Sequence, residues 1–469
     1  MKYCHFFTVS LRLLCACLIL ASCQKTPEIK VFPANKIIDA FPEEDATFDI
    51  STDVDWIITI KPIIPPDEDW LTVSPMQGKG NATITIKAGE NPTFDARYAS
   101  IAISGNGVKS DTVWVTQMPD VDLKNNIEDE AFREYCLQHF DEDQDGIISM
   151  KEARRAFEII VKRLHVHSLA GIEYFINITK LDCRDNEIES IDVSNNLKLR
   201  ELDCFNNAIR SLDVSKNVEL RKIDCSYNPI DHIDVSGLTK LTDLFVHSSE
   251  LTSIDVSNNP KLEWLAISNN KVMNIDVSNN KELQGLECNE NGLTTISVSN
   301  NTKLLTLYCG NNKLTTLNID NNTALSHLWC NNNLLTSINL NNNKDLQTLM
   351  CANNSFSSLT LSNNTKLAQL YCSANQLSTL SLSKNIDLKQ LHCDANPLTT
   401  LDLSYNTKLE GLRCTDSKLQ NEINIAKNNR LIFIELQNNP TLSTIYVWQG
   451  FIEISDYKKD KTAQWVRIP

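Results

Sequence analysis

Between about Ile178 and Leu442 a 21-residue unit repeats, and no other property of the chain limits its fold as tightly. Steps of 21 from Cys183 reach positions 204, 225, 246, 267, 288, 309, 330, 351, 372, 393 and 414. Ten of these twelve positions are cysteine, and Val246 and Ile267 fill the other two. Three residues further on asparagine recurs from Asn186 to Asn396, interrupted by Ser249 and followed by Ser417. One such unit cannot bury its own apolar face, so units of this period stack into a solenoid. A cysteine column interchangeable with Val and Ile is used as a small buried hydrophobe, and free thiols are expected. Neighbouring rungs lie about 4.8 Å apart, a distance that leaves a disulfide between rungs open.

Within a unit, Leu and Cys two residues apart face the same way and make a short strand, with the next coil's strand parallel to it. The Asn side chain can bond backbone groups that the turn would otherwise strand in the core. A thirteenth unit, one residue longer, puts Leu436 and Asn439 in the two columns. The pattern Leu-x-x-Leu-x-Cys-x-x-Asn-x-Leu resembles the leucine-rich repeat, and Leu169-Ala170-Gly171-Ile172-Glu173-Tyr174-Phe175 resembles the entry segment of internalin-like members. That resemblance implies a right-handed solenoid of about 13 short coils over 163–446, whose concave face binds a protein partner. The tail, 447–469, holds Trp448, Phe451 and Trp465 and is expected to close the far end.

The residues before the solenoid divide by pattern. Residues 1–23 combine Lys2 and Arg12 with an apolar run, Leu13 to Leu20, too short to span a bilayer. The ending Leu20-Ala21-Ser22-Cys23 resembles a lipobox and implies lipidation of Cys23. Together with the domains described next, it resembles lipoproteins of Bacteroidota, and this implies an outer-membrane lipoprotein displayed at the cell surface, with the periplasmic face left open. Residues 24–34 read as a tether. Over 35–119 short alternating runs such as Ala82-Thr83-Ile84-Thr85-Ile86 are separated by turn signals, predicting a small β-sandwich. Trp56, Trp70-Leu71-Thr72-Val73-Ser74-Pro75, Gly78, Gly80, Asn91, Arg97 and Val115-Thr116-Gln117 resemble the BACON domain. The resemblance implies either glycan binding or a spacer role; Trp56 and Trp70 fall inside apolar alternation, where core packing is expected.

Residues 120–162 read as a joint and cap, with Asn125 or Asn126 capping a helix that carries Ala131, Phe132, Cys136 and Phe140. The following segment, 141–152, is similar to the calcium loop of an EF-hand. The likeness implies carboxylate ligands from Asp141, Asp143 and Asp145, the Ile147 carbonyl, Ser149, and a bidentate Glu152, with Gly146 at the sharp turn. One such loop is present, and calcium is expected to order the joint rather than act as a sensor. The whole is thus expected to be mainly β and multidomain.

Two strand columns face away from the solenoid core. Immediately before the Cys column stand Asp182, Asp203 and Asp224, and later Tyr308, Trp329, Met350, Tyr371 and His392. Three before it stand Trp264 and His327 among small or polar residues. Large apolar side chains on a solvent face are costly unless a partner covers them, and Tyr and Trp are favoured anchors. Trp264, Tyr308, His327, Trp329, Met350, Tyr371 and His392 are therefore the expected ligand-binding residues, for a protein first and a glycan second. A bare cross-strand ladder of rings is the alternative, and for the whole chain a passive structural role in a surface assembly. The formal charge of −15 makes nucleic acid a poor partner. No nucleophile motif or phosphate loop appears, and Asp182 and Asp203 sit in what reads as a solvated charged row, so catalysis, including glycan degradation, is not expected.

Overall fold

The computed structural model describes residues 27–42, 44–65 and 69–469. The export signal and Cys23 lie outside the described residues. The chain divides into two compact units at Val121/Asp122.

The amino-terminal unit is a β-sandwich. Its strands are β1 (Lys30–Phe32), β2 (Asn35–Ile38), β3 (Ala46–Ser51), β4 (Asp55–Ile64), β5 (Leu71–Ser74), β6 (Gln77–Lys79), β7 (Ala82–Ala88), β8 (Arg97–Gly105) and β9 (Asp111–Gln117). One sheet runs β1-β3-β7-β5 and the other β2-β9-β8-β4-β6. The alternation puts Phe48, Ile50, Ile84, Ile86, Ile101 and Ile103 between the sheets. β1 lies inside the segment expected to be a tether. Val31 is buried and pairs with Ile50, so burying one alternating residue draws the chain into the sheet. Trp56 and Trp70 are both core residues. The Trp56 ring lies against Gly78, where a Cβ would come within 2.4 Å of it, and Trp56 Nε1 donates to the Gly80 carbonyl at 2.8 Å. Asn91 and Gln117 are buried loop fasteners: Asn91 Nδ2 donates to the carbonyls of Asp95 and Met118 (both 2.9 Å), and Gln117 Nε2 to that of Gly89 (2.6 Å).

The second unit begins with α1 (Glu130–Phe140) and the short α2 (Met150–Ala153). The cap of α1 is Asp129 rather than Asn125 or Asn126; its carboxylate accepts from the N–H of Phe132 at 2.9 Å. Asn125 instead ends a separate 3-10 turn. Phe132 and Cys136 face inward, Phe132 packs on Phe175 (6.1 Å between ring centroids), and the Tyr135 hydroxyl accepts from the Ile160 N–H at 2.9 Å. The helix thus covers the first end of the stack, as a terminal cap must. Part of the segment expected as a helix–loop–helix is already sheet. β10 (Glu158–Ile160) pairs in parallel with β11 (Lys180–Asp182), because Ile159 completes the buried row above Leu181.

From β11 to β22 (Gly411–Arg413) twelve three-residue strands recur, one per coil. With β10, β24 (Phe433–Leu436) and β26 (Tyr457–Lys459) they form one parallel sheet of fifteen strands. The thirteen expected coils are therefore extended by one strand at each end. At the far end β23 (Gln420–Asn424), β25 (Thr441–Trp448) and β27 (Gln464–Ile468) make a second parallel sheet, and Trp448, Tyr457 and Trp465 pack around Phe451 at centroid distances of 5.0, 5.2 and 4.8 Å.

The middle residue of each short strand and the following Cys point into the core. All ten column cysteines are buried and free. Each column Asn ties its coil to the one before: Asn207 Nδ2 donates to the carbonyls of Cys183 (3.0 Å) and Cys204 (3.1 Å), and its Oδ1 accepts from the Ile188 N–H (3.0 Å). A second Asn ladder runs from Asn196 to Asn428, broken by Leu238 and otherwise wholly buried. Asn217 Nδ2, for example, donates to the carbonyls of Val193 (2.8 Å) and Asn196 (3.0 Å). Among the described residues no helix is long and apolar enough to cross a membrane.

Candidate functional site

Because strand register is kept from coil to coil, residues one period apart stand directly beside one another on the exposed sheet face. Tyr308 pairs with Trp329, Trp329 with Met350, Met350 with Tyr371, and Tyr371 with His392. All five are half-buried. Tyr308 and Trp329 stack at 4.0 Å between centroids and 17° between planes, and Tyr371 meets His392 edge-on at 4.8 Å. Met350 separates the two aromatic pairs. Burial raises the Tyr308 phenol above its usual range, with the charge of Glu287 adding to the shift. Burial likewise holds the His392 imidazole below its usual value, against Asp394, which pulls it up. The stripe is therefore uncharged at neutral pH.

A groove of about 330 Å³ runs beside it, lined by Trp329, Met350, Tyr371, Asn331, Ala352 and Asn353 among others. The rings are flanked across the strand by Thr306, His327, Thr348, Gln369 and Gln390, none of them acidic. His327 Nδ1 lies 2.8 Å from Ser326 Oγ, between buried Thr306 and Thr348. Trp264 stands apart, earlier in the stack. Its ring lies over Gly285, where a Cβ would come within 2.5 Å, and its Nε1 donates to Glu287 at 3.3 Å.

Ion-paired rungs lie before and after this stretch, the first of them five coils or more ahead of Tyr308, with Glu287 on the adjoining rung. On one side the Arg184 guanidinium bridges Asp182 (2.8 Å) and Asp203 (3.3 Å). Asp182 is buried rather than solvated, and burial raises the Asp203 carboxyl, with Asp224 and Asp182 adding to the shift. On the other side Arg413 contacts Asp394 (3.2 Å) and Glu435 (3.3 Å). Asp182, Asp203, Asp394 and Glu435 are thus engaged in ion pairs.

A further pattern lies in the residue after each Cys. In earlier coils, Ser268 apart, its backbone N–H has an acceptor: Phe205 bonds Asp203 (3.2 Å), Ser226 bonds Asp224 (3.1 Å), His247 bonds Ser226 Oγ (3.0 Å), Asn289 bonds Ser268 Oγ (3.2 Å) and Gly310 bonds Asn289 Oδ1 (2.7 Å). At Asn331, Ala352, Ser373 and Asp394 the N–H meets no acceptor among the described residues, while the carbonyls of Asn331, Ala352, Ser373 and Asp394 are each bonded. These four donors follow Trp329, Met350, Tyr371 and His392 by two residues. Trp329 Nε1 also lacks a partner. Sequence reasoning found the rings but missed the donors: Gly310 and Ala352 lack a capping side chain, while Asn331 lies toward Gly310 and Ser373 Oγ donates to Asp394 (2.9 Å), so neither caps the next coil.

The loop 141–152 has its own geometry. Asp141, Asp143 and Asp145 each bring a carboxylate oxygen within 4.8 Å of the others. Gly146 has φ +82°, where a side chain would be strained, and its N–H donates to Asp141 at 3.0 Å. Three converging carboxylates fit a hard divalent cation. Glu152 is placed otherwise: its oxygens accept from the N–H of Glu142 (2.8 Å) and from the N–H and hydroxyl of Ser149 (both 2.9 Å), closing a capping box on α2. The structure thus groups three of the six expected ligands.

The model of the BACON family, an N-terminal domain, matches residues 47–118. The fold is similar to the functional domain of InlJ from Listeria monocytogenes, which includes a cysteine ladder, at 26% identity over 71% of this chain and 83% of that one, with a TM-score of 0.60. A Leptospira interrogans LRR protein is similar at 22% identity over 55% of this chain and 71% of that one, TM-score 0.51. The PEPR1–AtPEP1 structure is similar at 21% identity over 66% of this chain and 49% of that one, TM-score 0.55. No curated protein matches the chain in sequence. Residues 47–118 are thus a BACON domain, and the repeats form a leucine-rich-repeat solenoid like that of an internalin.

Proposed function

We propose that the protein is a non-catalytic recognition lipoprotein of the cell envelope, anchored through a lipid on Cys23, that binds a protein ligand on the sheet face between Tyr308 and His392. The observation that carries this reading is the uncharged aromatic stretch on one face of a chain of net charge −15. A leucine-rich-repeat scaffold suits it, because many coils present one continuous surface. The BACON domain, with Trp56 and Trp70 in the core and Trp114 alone of its tryptophans exposed, serves as a spacer. Calcium held by Asp141, Asp143 and Asp145, with the Ile147 carbonyl, Ser149 and Glu152 joining as the capping box opens, steadies the cap on the first coils.

Two experiments test the reading. Protease shaving of intact cells should remove the solenoid; protection would place it on the periplasmic face. Affinity capture with the full chain should lose its partner on replacing Trp329 and Tyr371 together by Ala. Unchanged capture would sink the proposed face. The Tyr308–Trp329 stack favours a second reading, in which the rings satisfy one another and the protein is a passive component of a surface assembly.

A further inference from the structure

The two aromatic pairs and the row of open donors form a lattice with a fixed spacing. Rungs repeat every ~4.8 Å, so Trp329 and Tyr371, two rungs apart, are separated by about 9.6 Å along the stack. A polyproline II helix advances about 3.1 Å per residue with three residues per turn, a repeat of about 9.3 Å. An extended β-strand, by contrast, repeats every ~6.8 Å and falls out of step with the rungs. We propose that the face between Tyr308 and His392 binds an uncharged, proline-rich polypeptide segment in the polyproline II conformation, laid along the solenoid axis. This rests on the reading that the face takes a protein ligand.

Three observations support that occupant. The helix has no internal hydrogen bonds, so every carbonyl is an open acceptor, and proline lacks the N–H that would need one in return. The face offers the complement: N–H donors at Asn331, Ala352, Ser373 and Asp394 without acceptors, beside carbonyls already used. Second, Met350 leaves a recess between the Tyr308–Trp329 and Tyr371–His392 pairs, and aromatic-lined grooves are what such helices dock into. Third, the rings carry no charge and the carboxylates beside them, Glu287 on the adjoining rung and Glu290 in the groove, disfavour an anionic segment. Five rungs span about 19 Å, the length of about six residues of the helix.

The test titrates the full chain with decaproline blocked at both ends, followed by tryptophan fluorescence and calorimetry. Saturable binding is expected, with little change on raising the salt because no charge is involved. Trp329→Ala and Tyr371→Ala should each weaken it at least tenfold, with circular dichroism confirming the fold. Ala352→Ser supplies the acceptor that Ser268 supplies to Asn289, and so should close the Ser373 donor and weaken binding several-fold without disturbing the rings. Absence of decaproline binding, or binding that Trp329→Ala and Ala352→Ser leave unchanged, overturns the proposal. Cellohexaose is titrated in parallel. If it binds in a Trp329-dependent way and decaproline does not, the occupant is a neutral glycan and the proposal falls while the face stands. The face itself is judged separately, by the capture experiment.

Discussion

Cys309 is wholly buried between Cys288 and Cys330, and burial pushes the thiols of those two neighbours up to about 12. The thiolate is the reactive form, so the native ladder should resist a thiol reagent and titrate only on unfolding, which a time course in and out of denaturant reads directly. Val246 and Ile267 show that the column asks for apolar volume. Cys309→Val should therefore be nearly neutral in urea melts, whereas Cys309→Ser should cost about 1–3 kcal/mol through a hydroxyl with no room for a new partner. Equal tolerance of both would mean that packing is not what selects cysteine. His392 carries a different test. Burial lowers its folded value beneath the ordinary 6.5. Its contribution to stability is present above pH 6.5, where both states are neutral, and is lost as pH falls through the folded value, since the unfolded chain takes up the proton first. An NMR titration should place the His392 midpoint below 6.5, and His392→Gln should flatten stability below that pH.

At the scale of elements, the repeat was legible because its period recurs without slippage, and period together with apolar spacing determines strand, register and face. The Cys and first Asn columns were read correctly for that reason. The second Asn ladder was not, although Asn196, Asn217 and Asn259 stand in the same register. An asparagine at a coil corner reads as a turn residue, and only stacking shows that it is wholly buried and bonded to the coil before. The ends resisted for another reason. β10 and β26 each carry one buried residue, Ile159 and Tyr457, too few for a pattern, and their pairing is imposed by the neighbouring coil. Asn125 or Asn126 reads as the cap because either precedes the apolar run, whereas the second oxygen of Asp129 also accepts from the N–H of His167 (2.8 Å) and Ser168 (3.3 Å), contacts of about 38 residues' reach that no local pattern displays. Asn312→Ala removes bonds to the carbonyls of Cys288 (2.9 Å) and Cys309 (3.1 Å) and the acceptor of the Leu293 N–H (3.0 Å). Leaving buried backbone groups unpaired should cost roughly 2–4 kcal/mol in equilibrium unfolding. A loss below 0.5 kcal/mol, the size of an ordinary surface change, would show that water replaces the side chain.

For the second unit as a whole, the cap and the stack belong to one compact unit. If calcium sits on Asp141, Asp143 and Asp145, adding it should raise the thermal midpoint by several degrees, EGTA should reverse the gain, and Asp143→Asn with Asp145→Asn should abolish it. A midpoint indifferent to calcium would leave α1 as a metal-free cap. The coil from Leu238 to Ser249 deserves a mechanical reading. It lacks both asparagine ties: Leu238 interrupts the buried ladder, and Ser249 bonds only the His247 carbonyl within its own coil (3.2 Å), leaving the Ile230 N–H to the Asn228 carbonyl. If the proposed anchor on Cys23 holds the amino terminus and a ligand sits from Tyr308 onward, tension is carried in series through every coil between them, and the coils after Arg413 stay slack. The stack then has a fuse. Under load it is expected to part first between the coils of Asn228 and Ser249, where neither tie is made, a step that single-molecule pulling would read as an early rupture.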